Sequence, residues 1–279
     1  MIGQRCVQQQ IKNEIDNKSL ARFIILLGDT GSGRKTLAKE MCGWLGATCV
    51  LVDKGVDAIR EVIEQSYNIS AEMVYVLDGD NMSSAAKSAL LKVTEEPPNK
   101  ARFVLTLTNV EHTLDTLVSR ARIYRLDNYT AADIIRFAGS EDWRYRNFCS
   151  NKYEVDLLKG YGIDDFYAFV KKVVDNISVV NGANALKMEQ NISFTDGDGK
   201  YDMKIFLQAF RTECIDRVHQ FDCVDREYPE VDYPSTMKYL DWIGITNKTL
   251  DAVRLQVSNR QHLFDKWIFD IRAVSYAKS

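Results

Sequence analysis

Short apolar runs alternate with amphipathic stretches over the first 127 residues. The apolar runs are rich in β-branched or aromatic side chains and lie at 23–27, 49–52, 73–77, 103–107 and 123–126. A run that is apolar on both faces is typical of a buried parallel strand. Between these runs, apolar residues recur at helical spacing over 34–45, 56–66 and 83–96, and Pro97 ends the last of them. Alternating strands and helices with short connections predict an α/β domain whose parallel sheet is covered on both faces.

The pattern changes to helices alone after Asp127. Helical periodicity predicts helices at 131–138, 164–180, 203–221 and 236–243, and a long one over 248–277. The polar, glycine-bearing stretch 191–202 predicts a linker or surface loop, and its residues 196–200 a turn. The predicted organisation is therefore an α/β core at 1–127, a small helical domain at 128–190 and a second helical domain at 191–279.

Composition and charge narrow the classes of function. Of the 279 residues 46 % are hydrophobic and 27 % charged, a globular mixture, and the net charge is −3. Without a basic excess, any contact with nucleic acid should be local. We expect no membrane segment and a cytoplasmic location, since the start of the chain lacks a signal peptide's apolar core and no apolar run nears about 20 residues. The six cysteines form no CxxC pair, so we expect buried free thiols rather than zinc ligands or a disulfide framework.

A glycine-rich loop between the first strand and the first predicted helix is the main candidate for chemistry. Its residues of interest are Gly28, Gly31, Gly33, Arg34, Lys35 and Thr36. Such a loop turns backbone N–H groups toward a phosphate, and the full motif is G-x-x-x-x-G-K-S/T. Gly28 and Gly33 have the correct spacing, but Arg34 stands at the lysine position and Lys35 at the hydroxyl position. Either the loop is a turn without a ligand, or it is a damaged phosphate loop that does not support efficient hydrolysis.

Two acidic residues follow the third apolar run. A working NTPase places an aspartate here for its metal ion and often an acidic residue that activates water. Asp78 and Asp80 could serve a metal site, but carboxylates at such positions also cap helices and form turns.

The stretch 82–120 resembles, without a gap, clamp-loader subunits of bacterial DNA polymerase III. Residues 80–98 are similar to that family's D-K-M…A-L-L-K-x-L-E-E-P-P motif, and Thr108-Asn109 corresponds to its sensor-1 region. Ser119-Arg120-Ala121 falls on its Ser-Arg-Cys motif. The resemblance is strongest to the delta-prime, or gamma/tau, subunit over roughly the first 125 residues.

This resemblance implies a fold and partners. The chain would have an AAA+ P-loop core at 1–127, a helical lid at 128–190 and a helical collar at 191–279. Its partners would be other subunits of a hetero-oligomeric ring, a sliding clamp and primer-template DNA. Arg120 would be an arginine finger acting on the neighbouring subunit's ATP; the alternative is an ordinary surface arginine.

Departures from the family pattern indicate which activity to expect. The family's metal-binding aspartate falls on Leu77 and its glutamate on Asp78, which remains as a vestige of that site. The stretch between 45 and 49 is too short for the family's four-cysteine zinc module, so no zinc is expected. We therefore predict a clamp-loader subunit that binds ATP weakly or not at all and completes its neighbour's site. The alternatives are an active ATPase using a shifted Lys35-Thr36 loop, and a non-catalytic ring adaptor.

Overall fold

The computed structural model describes residues 1–179, 190–194, 199–222, 233–255 and 259–277. The chain divides into two compact units, Met1–Asp133 and Ile134–Ser279. The predicted boundary after 127 lies six residues before the division between the units. The predicted turn at 196–200 lies largely outside the described residues, and the helix predicted over 164–180 ends earlier, at Asn176.

The first unit is built on a five-stranded parallel sheet, which confirms the predicted α/β fold. Its strands are β1 (Phe23–Leu27), β2 (Thr48–Leu51), β3 (Met73–Asp78), β4 (Ala101–Leu107) and β5 (Arg122–Arg125), in the order β2-β3-β4-β1-β5. In the register, Ile25 pairs with Leu105 on one side and Ile123 on the other. All five residues of β1 are buried because this strand lies inside the sheet.

Helices follow the strands at the predicted places, with two differences. They are α1 (Arg5–Asp16), α2 (Arg34–Leu45), α3 (Val56–Ser66), α4 (Ser84–Ala89), α5 (Leu91–Glu95) and α6 (Asp115–Val118), with 3₁₀ turns at Gly79–Asn81 and Val110–His112. The predicted helix at 83–96 is interrupted at Leu90, whose N–H bonds three residues back to the Lys87 carbonyl. The helix α1 was missed because its polar sequence buries only Val7 and Ile11.

Each face of the sheet carries its own core. On one face α1 and α2 pack through Ile11, Leu37 and Met41 against alternate strand residues such as Ile24 and Val76. On the other face α3 to α5 cover the remaining strand residues, with Ile59, Ile63, Leu90 and Val93 against Ile25 and Leu105. Strand residues therefore alternate between two buried surfaces, which is why their sequences are apolar throughout.

The second unit is mainly helical. Its helices are α7 (Ala131–Ala138, which begins at the end of the first unit), α8 (Trp143–Phe148), α9 (Lys152–Tyr161), α10 (Ile163–Asn176), α11 (Met203–Asp222), α12 (Tyr233–Leu255) and α13 (Arg260–Ala277). Two strands of two residues, β6 (Ile192–Ser193) and β7 (Tyr201–Asp202), form a parallel pair.

Several predictions for this half of the chain are corrected. Helices α8 and α9 were missed, and the stretch 191–202 is not only a linker because Ile192 and Tyr201 are buried in a strand pair. The predicted short helix at 236–243 is part of α12, and the predicted long helix over 248–277 is divided between α12 and α13.

Aromatic side chains form much of the core of the second unit. Phe206 and Phe210 of α11 are buried, and the Phe210 ring lies 4.8 Å from that of Trp267, centroid to centroid, in an edge-to-face contact. These phenylalanines therefore belong to the packed core of the unit. Helix α11 packs against both α8 and α10, so helices from the predicted lid and the predicted collar share one compact unit.

The cysteines only partly match the expectation of buried thiols. Cys42, Cys149 and Cys214 are buried, whereas Cys6 and Cys49 are exposed, and Cys223 lies outside the described residues. Across the described part of the chain, no helix has the length and apolarity needed to cross a membrane.

Candidate functional site

The glycine-rich loop lies between β1 and α2, with two glycines in left-handed conformations. Gly31 has φ +84° and Gly33 has φ +93°, values that a residue with a side chain adopts only with strain. Gly28 is restricted by space, since a Cβ atom there would lie 2.7 Å from Ser32 Oγ. The loop therefore has the tight backbone of a phosphate loop, while Lys35 and Thr36 lie exposed on the first turn of α2.

Both cations of the loop are paired with the acidic residues that follow the third strand. Arg34 Nη1 donates to Asp80 Oδ2 at 2.8 Å, with 12 % of the Arg34 side chain exposed. Lys35 Nζ donates to Asp78 Oδ2, also at 2.8 Å, from a side chain that is 61 % exposed. The two cations that could contact a phosphate are thus each paired with a carboxylate.

Asp80 is the central residue of this arrangement, whereas the sequence indicated only that it could serve a metal site or form a turn. Its Oδ1 accepts hydrogen bonds from the backbone N–H and the hydroxyl of Thr108, both at 2.8 Å. Thr108 follows β4, so Asp80 joins the phosphate loop, the end of β3 and the end of β4. Its place next to a strand end was visible in the sequence, but its partners are 46 and 28 residues away along the chain.

Strand alternation explains the different roles of Leu77 and Asp78. Leu77 is buried in the core beside α3, opposite Leu105 in the register, and a buried leucine side chain cannot bind a metal. Asp78 points to the other face, where it accepts from Lys35 and, at 3.2 Å, from Asn81. Burial raises the pKa of Asp78, but these hydrogen bonds and the charges of Lys35 and Arg34 outweigh it and hold the pKa below its usual value.

The phosphate loop is covered by the segment that follows β5. A Cβ atom on Gly33 would lie 2.5 Å from the Tyr129 hydroxyl, and one on Gly3 would lie 2.8 Å from the Tyr129 ring. Gln4 holds this segment in place: its Nε2 donates to the Asp127 carbonyl at 2.5 Å, and the Asp127 N–H donates to its Oε1 at 3.0 Å. The Tyr129 ring therefore lies between Gly3 and the last glycine of the loop.

Arg120 lies on a different part of the first unit, between α6 and β5. Its side chain is 41 % exposed; Nη1 donates to the Thr116 carbonyl at 3.0 Å, and Nη2 lies 3.5 Å from Glu95 Oε1. Among the described residues these contacts do not include any of the phosphate loop. The structure therefore brings Arg34, Lys35 and Asp78 together and leaves Arg120 apart from them.

The described residues contain no group of three or more histidine, cysteine or acidic side chains arranged to hold a metal ion.

Comparison with known proteins finds similarity to subunits of DNA polymerase III. Residues 47–130 match the family model described as "DNA polymerase III, delta subunit". The chain is 42 % identical over 76 residues to DNA polymerase III subunit delta' of Escherichia coli strain K12, which covers 26 % of this chain and 23 % of that protein. It is 28 % identical over 169 residues to DNA polymerase III subunit gamma of Buchnera aphidicola, covering 49 % of this chain and 47 % of that subunit.

Two further similarities extend over most of the chain. Replication factor C small subunit 1 of Pyrobaculum arsenaticum is 26 % identical over 258 residues, which are 76 % of this chain and 78 % of that protein. The crystal structure of a DNA polymerase III gamma subunit-related protein from Thermotoga maritima aligns with a TM-score of 0.50 at 16 % identity, over 96 % of this chain and 99 % of that one. This second similarity shows the fold alone.

The predicted resemblance to DNA polymerase III subunits is confirmed by these matches, and the parallel α/β core followed by a helical region is the fold shared with the Thermotoga maritima protein. The curated proteins that this chain matches include subunits of DNA polymerase III and of replication factor C, and the chain spans about half the length of several of them.

Proposed function

We propose that this chain is a clamp-loader subunit that does not hydrolyse ATP. In this proposal it occupies one position in a hetero-oligomeric ring and completes a neighbouring subunit's ATPase site with Arg120. The ring would open a sliding clamp and place it on primer-template DNA, with DNA contacts confined to backbone amides and a few basic side chains because the chain carries no basic excess.

The observation that carries the proposal is the pairing of Arg34 with Asp80 and of Lys35 with Asp78. Phosphoryl transfer needs free cations around the phosphates and free carboxylates around the magnesium ion. Here each group already has a partner of opposite charge at hydrogen-bond distance, so ATP and magnesium would have to break both pairs. Charge-assisted hydrogen bonds are about twice as strong as neutral ones, and the Arg34 pair is largely shielded from water.

The exposure of Arg120 supports its role in the neighbouring site. A guanidinium can stabilise the charge that develops on a transferring phosphoryl group. Its ion pair with Glu95 is solvent-exposed on both sides, and exposed pairs contribute roughly 0–1 kcal/mol. Arg120 can therefore leave Glu95 for a phosphate at little cost.

The two alternatives from the sequence make different demands on these residues. An active ATPase would require the Lys35 ammonium to leave Asp78 and Thr36 to bind magnesium. A ring adaptor without a catalytic contribution would leave Arg120 without a partner on the neighbouring subunit.

The decisive test uses the ring reconstituted with the ATPase subunits of the same host. We expect Arg120→Ala to lower the ring's DNA-stimulated ATPase kcat by about a hundredfold or more, as removal of arginine fingers does elsewhere. Arg125→Ala is the matched control, because Arg125 is an exposed arginine on the adjacent strand β5, and it should leave kcat unchanged. Equal rates for the wild type and Arg120→Ala would support the adaptor instead.

A second test concerns the chain alone. Titration with a fluorescent ATP analogue, with and without magnesium, should show no saturable binding up to millimolar concentration. Saturable magnesium-dependent binding that Lys35→Ala abolishes would establish the active ATPase in place of our proposal.

A further inference from the structure

We propose that Cys42 and Cys49 form a dithiol that small-molecule disulfides oxidise to an intramolecular disulfide. The pair lies where α2 turns back into the edge strand β2, and it plays no part in the site described above. The proposal therefore does not depend on the proposed function.

The backbone turn brings the two residues together. Helix α2 is followed by Gly46, which is left-handed with φ +61°, and the chain reverses there. The Ala47 N–H donates to the Cys42 carbonyl at 2.9 Å, a bond typical of this kind of helix end. Cys49 follows two residues later, as the second residue of β2, so it returns alongside the last turn of α2.

The strand register sets the direction of the Cys49 side chain. Cys49 pairs with Val74 of β3, and paired residues of neighbouring parallel strands point to the same face of the sheet. Val74 belongs to the buried cluster that also contains Cys42. The Cys49 thiol therefore faces the helix that carries Cys42, and it is near enough to contribute to the raised pKa of Cys42.

The two thiols differ in access to solvent. Cys42 is 3 % exposed, and its Sγ donates to the Ala38 carbonyl at 3.1 Å, whereas Cys49 is exposed. Burial and the neighbouring Cys49 raise the pKa of Cys42 to about 12, so its thiolate is scarce. Because the thiolate is the nucleophile, an external reagent reacts at Cys49 first.

Oxidised glutathione serves as a representative oxidant, and the reaction then balances. The Cys49 thiolate attacks one sulfur of glutathione disulfide, forms a mixed disulfide and releases one glutathione thiolate. Cys42 attacks the Cys49 sulfur, forms the internal disulfide and releases the second glutathione. The protein loses two electrons and two thiol protons, and the two released glutathione molecules take them up.

The disulfide would fasten the end of α2 to the sheet edge. The first residue of that helix is Arg34 of the phosphate loop, so the modification acts on the element that carries the loop.

The test is oxidation of the folded full chain with glutathione disulfide, followed by alkylation and peptide mass spectrometry. We expect a peptide cross-linked between Cys42 and Cys49, no glutathione retained on either, and full reversal by dithiothreitol. Exposed Cys6 is the internal control, and it should keep glutathione as a stable mixed disulfide. Persistent glutathione on wild-type Cys49, or Cys42 recovered as a free thiol, would overturn the proposal.

Two variants separate the steps. Cys42→Ala should retain glutathione on Cys49, with an adduct lifetime roughly tenfold or more above the wild type because no second thiol displaces it. Cys49→Ser should leave Cys42 reduced under the same conditions, because the buried Cys42 thiol does not react with glutathione disulfide directly. Rapid loss of the adduct from Cys42→Ala would also contradict the proposal, and the wild-type result stands even if a variant fails to fold.

Discussion

Arg34 and Asp80 form an ion pair whose two side chains are 12 % and 20 % exposed. At this depth, removing one partner is more costly than removing both, because the remaining charge keeps its desolvation cost without its hydrogen bond. Asp80 also accepts hydrogen bonds from the backbone N–H and the hydroxyl of Thr108, so its removal affects both Arg34 and Thr108. The effects of removing Arg34 and of removing Asp80 on the free energy of unfolding should therefore be coupled.

A double-mutant cycle tests this coupling. Arg34→Ala and Asp80→Ala should each lower the free energy of unfolding by about 1–3 kcal/mol. The double variant should lose less than the sum of the two, with a coupling energy of about 0.5–3 kcal/mol measured by denaturant unfolding. Additive losses would mean that the pair does not form in solution. Arg60→Ala is a control, since its contact with Asp57 is highly exposed and its loss should be small.

At the scale of elements, two helices begin with aspartate caps that have opposite electrostatic surroundings. Asp142 accepts from the Arg144 N–H at 2.9 Å at the start of α8, and it also binds the Arg144 guanidinium. Asp202 accepts from the Lys204 and Ile205 N–H groups at the start of α11. The hydrogen bond from the Arg144 side chain lowers the pKa of Asp142, whereas burial raises the pKa of Asp202.

Substitution by asparagine keeps both caps but removes the charge. The two substitutions should therefore change the free energy of unfolding at pH 7 in opposite directions. Asp142→Asn should lower the free energy of unfolding at pH 7 by about 1–3 kcal/mol. The lowered pKa means that this stabilisation is present above the unfolded pKa, near 4, and is lost as the pH falls through the folded value. The difference from wild type should therefore shrink in acid, as followed by denaturant unfolding from pH 7 to pH 3. A difference constant over this range would contradict the ion-pair origin.

Asp202→Asn is the opposite case. Its raised pKa means that the ionised carboxylate destabilises the fold at neutral pH, and that this cost disappears as the pH falls from the folded to the unfolded value. The variant should therefore equal or exceed the wild type in stability at pH 7 and show no advantage below about pH 4. A large loss of stability at neutral pH would contradict the prediction.

At the scale of the whole molecule, the chain consists of two compact units, each with its own buried core. The candidate nucleotide site lies within the first unit, where the start of α2 meets the carboxyl ends of β3 and β4. A ligand that binds the folded chain there would raise its stability in proportion to the logarithm of its concentration. The stability of the intact chain therefore reports on nucleotide binding.

We expect magnesium-ATP at millimolar concentration to leave the melting temperature unchanged, because Arg34, Lys35, Asp78 and Asp80 already neutralise one another. A site filled at one hundred times its Kd would instead add about 2.7 kcal/mol and raise the melting temperature by several degrees. Differential scanning fluorimetry with magnesium alone as the reference decides between the two. A rise that follows nucleotide concentration would contradict the self-neutralised site.

Local sequence was sufficient to predict an element wherever its hydrophobic pattern was long or strongly apolar. The five runs predicted the five strands because strands buried on both faces must be apolar throughout. The gapless motif over 82–120 predicted the similarity to DNA polymerase III subunits, and Arg34, Lys35 and Leu77 marked the departures from that family's pattern. Helices α8 and α9 were missed because α8 has only six residues and α9 buries the charged Glu154 among its core positions.

Contacts between distant residues were decided by the tertiary structure alone. The pairing of Arg34 with Asp80, the hydrogen bonds from Thr108 to Asp80 and the approach of Cys49 to Cys42 depend on how the strand ends and helix ends meet. Hydrophobic periodicity specifies which face of an element is buried, and it carries no information about which polar groups meet at the edge of the sheet. The sequence thus determined the fold class and the replaced residues, and folding determined that Arg34 and Lys35 are each paired with a carboxylate.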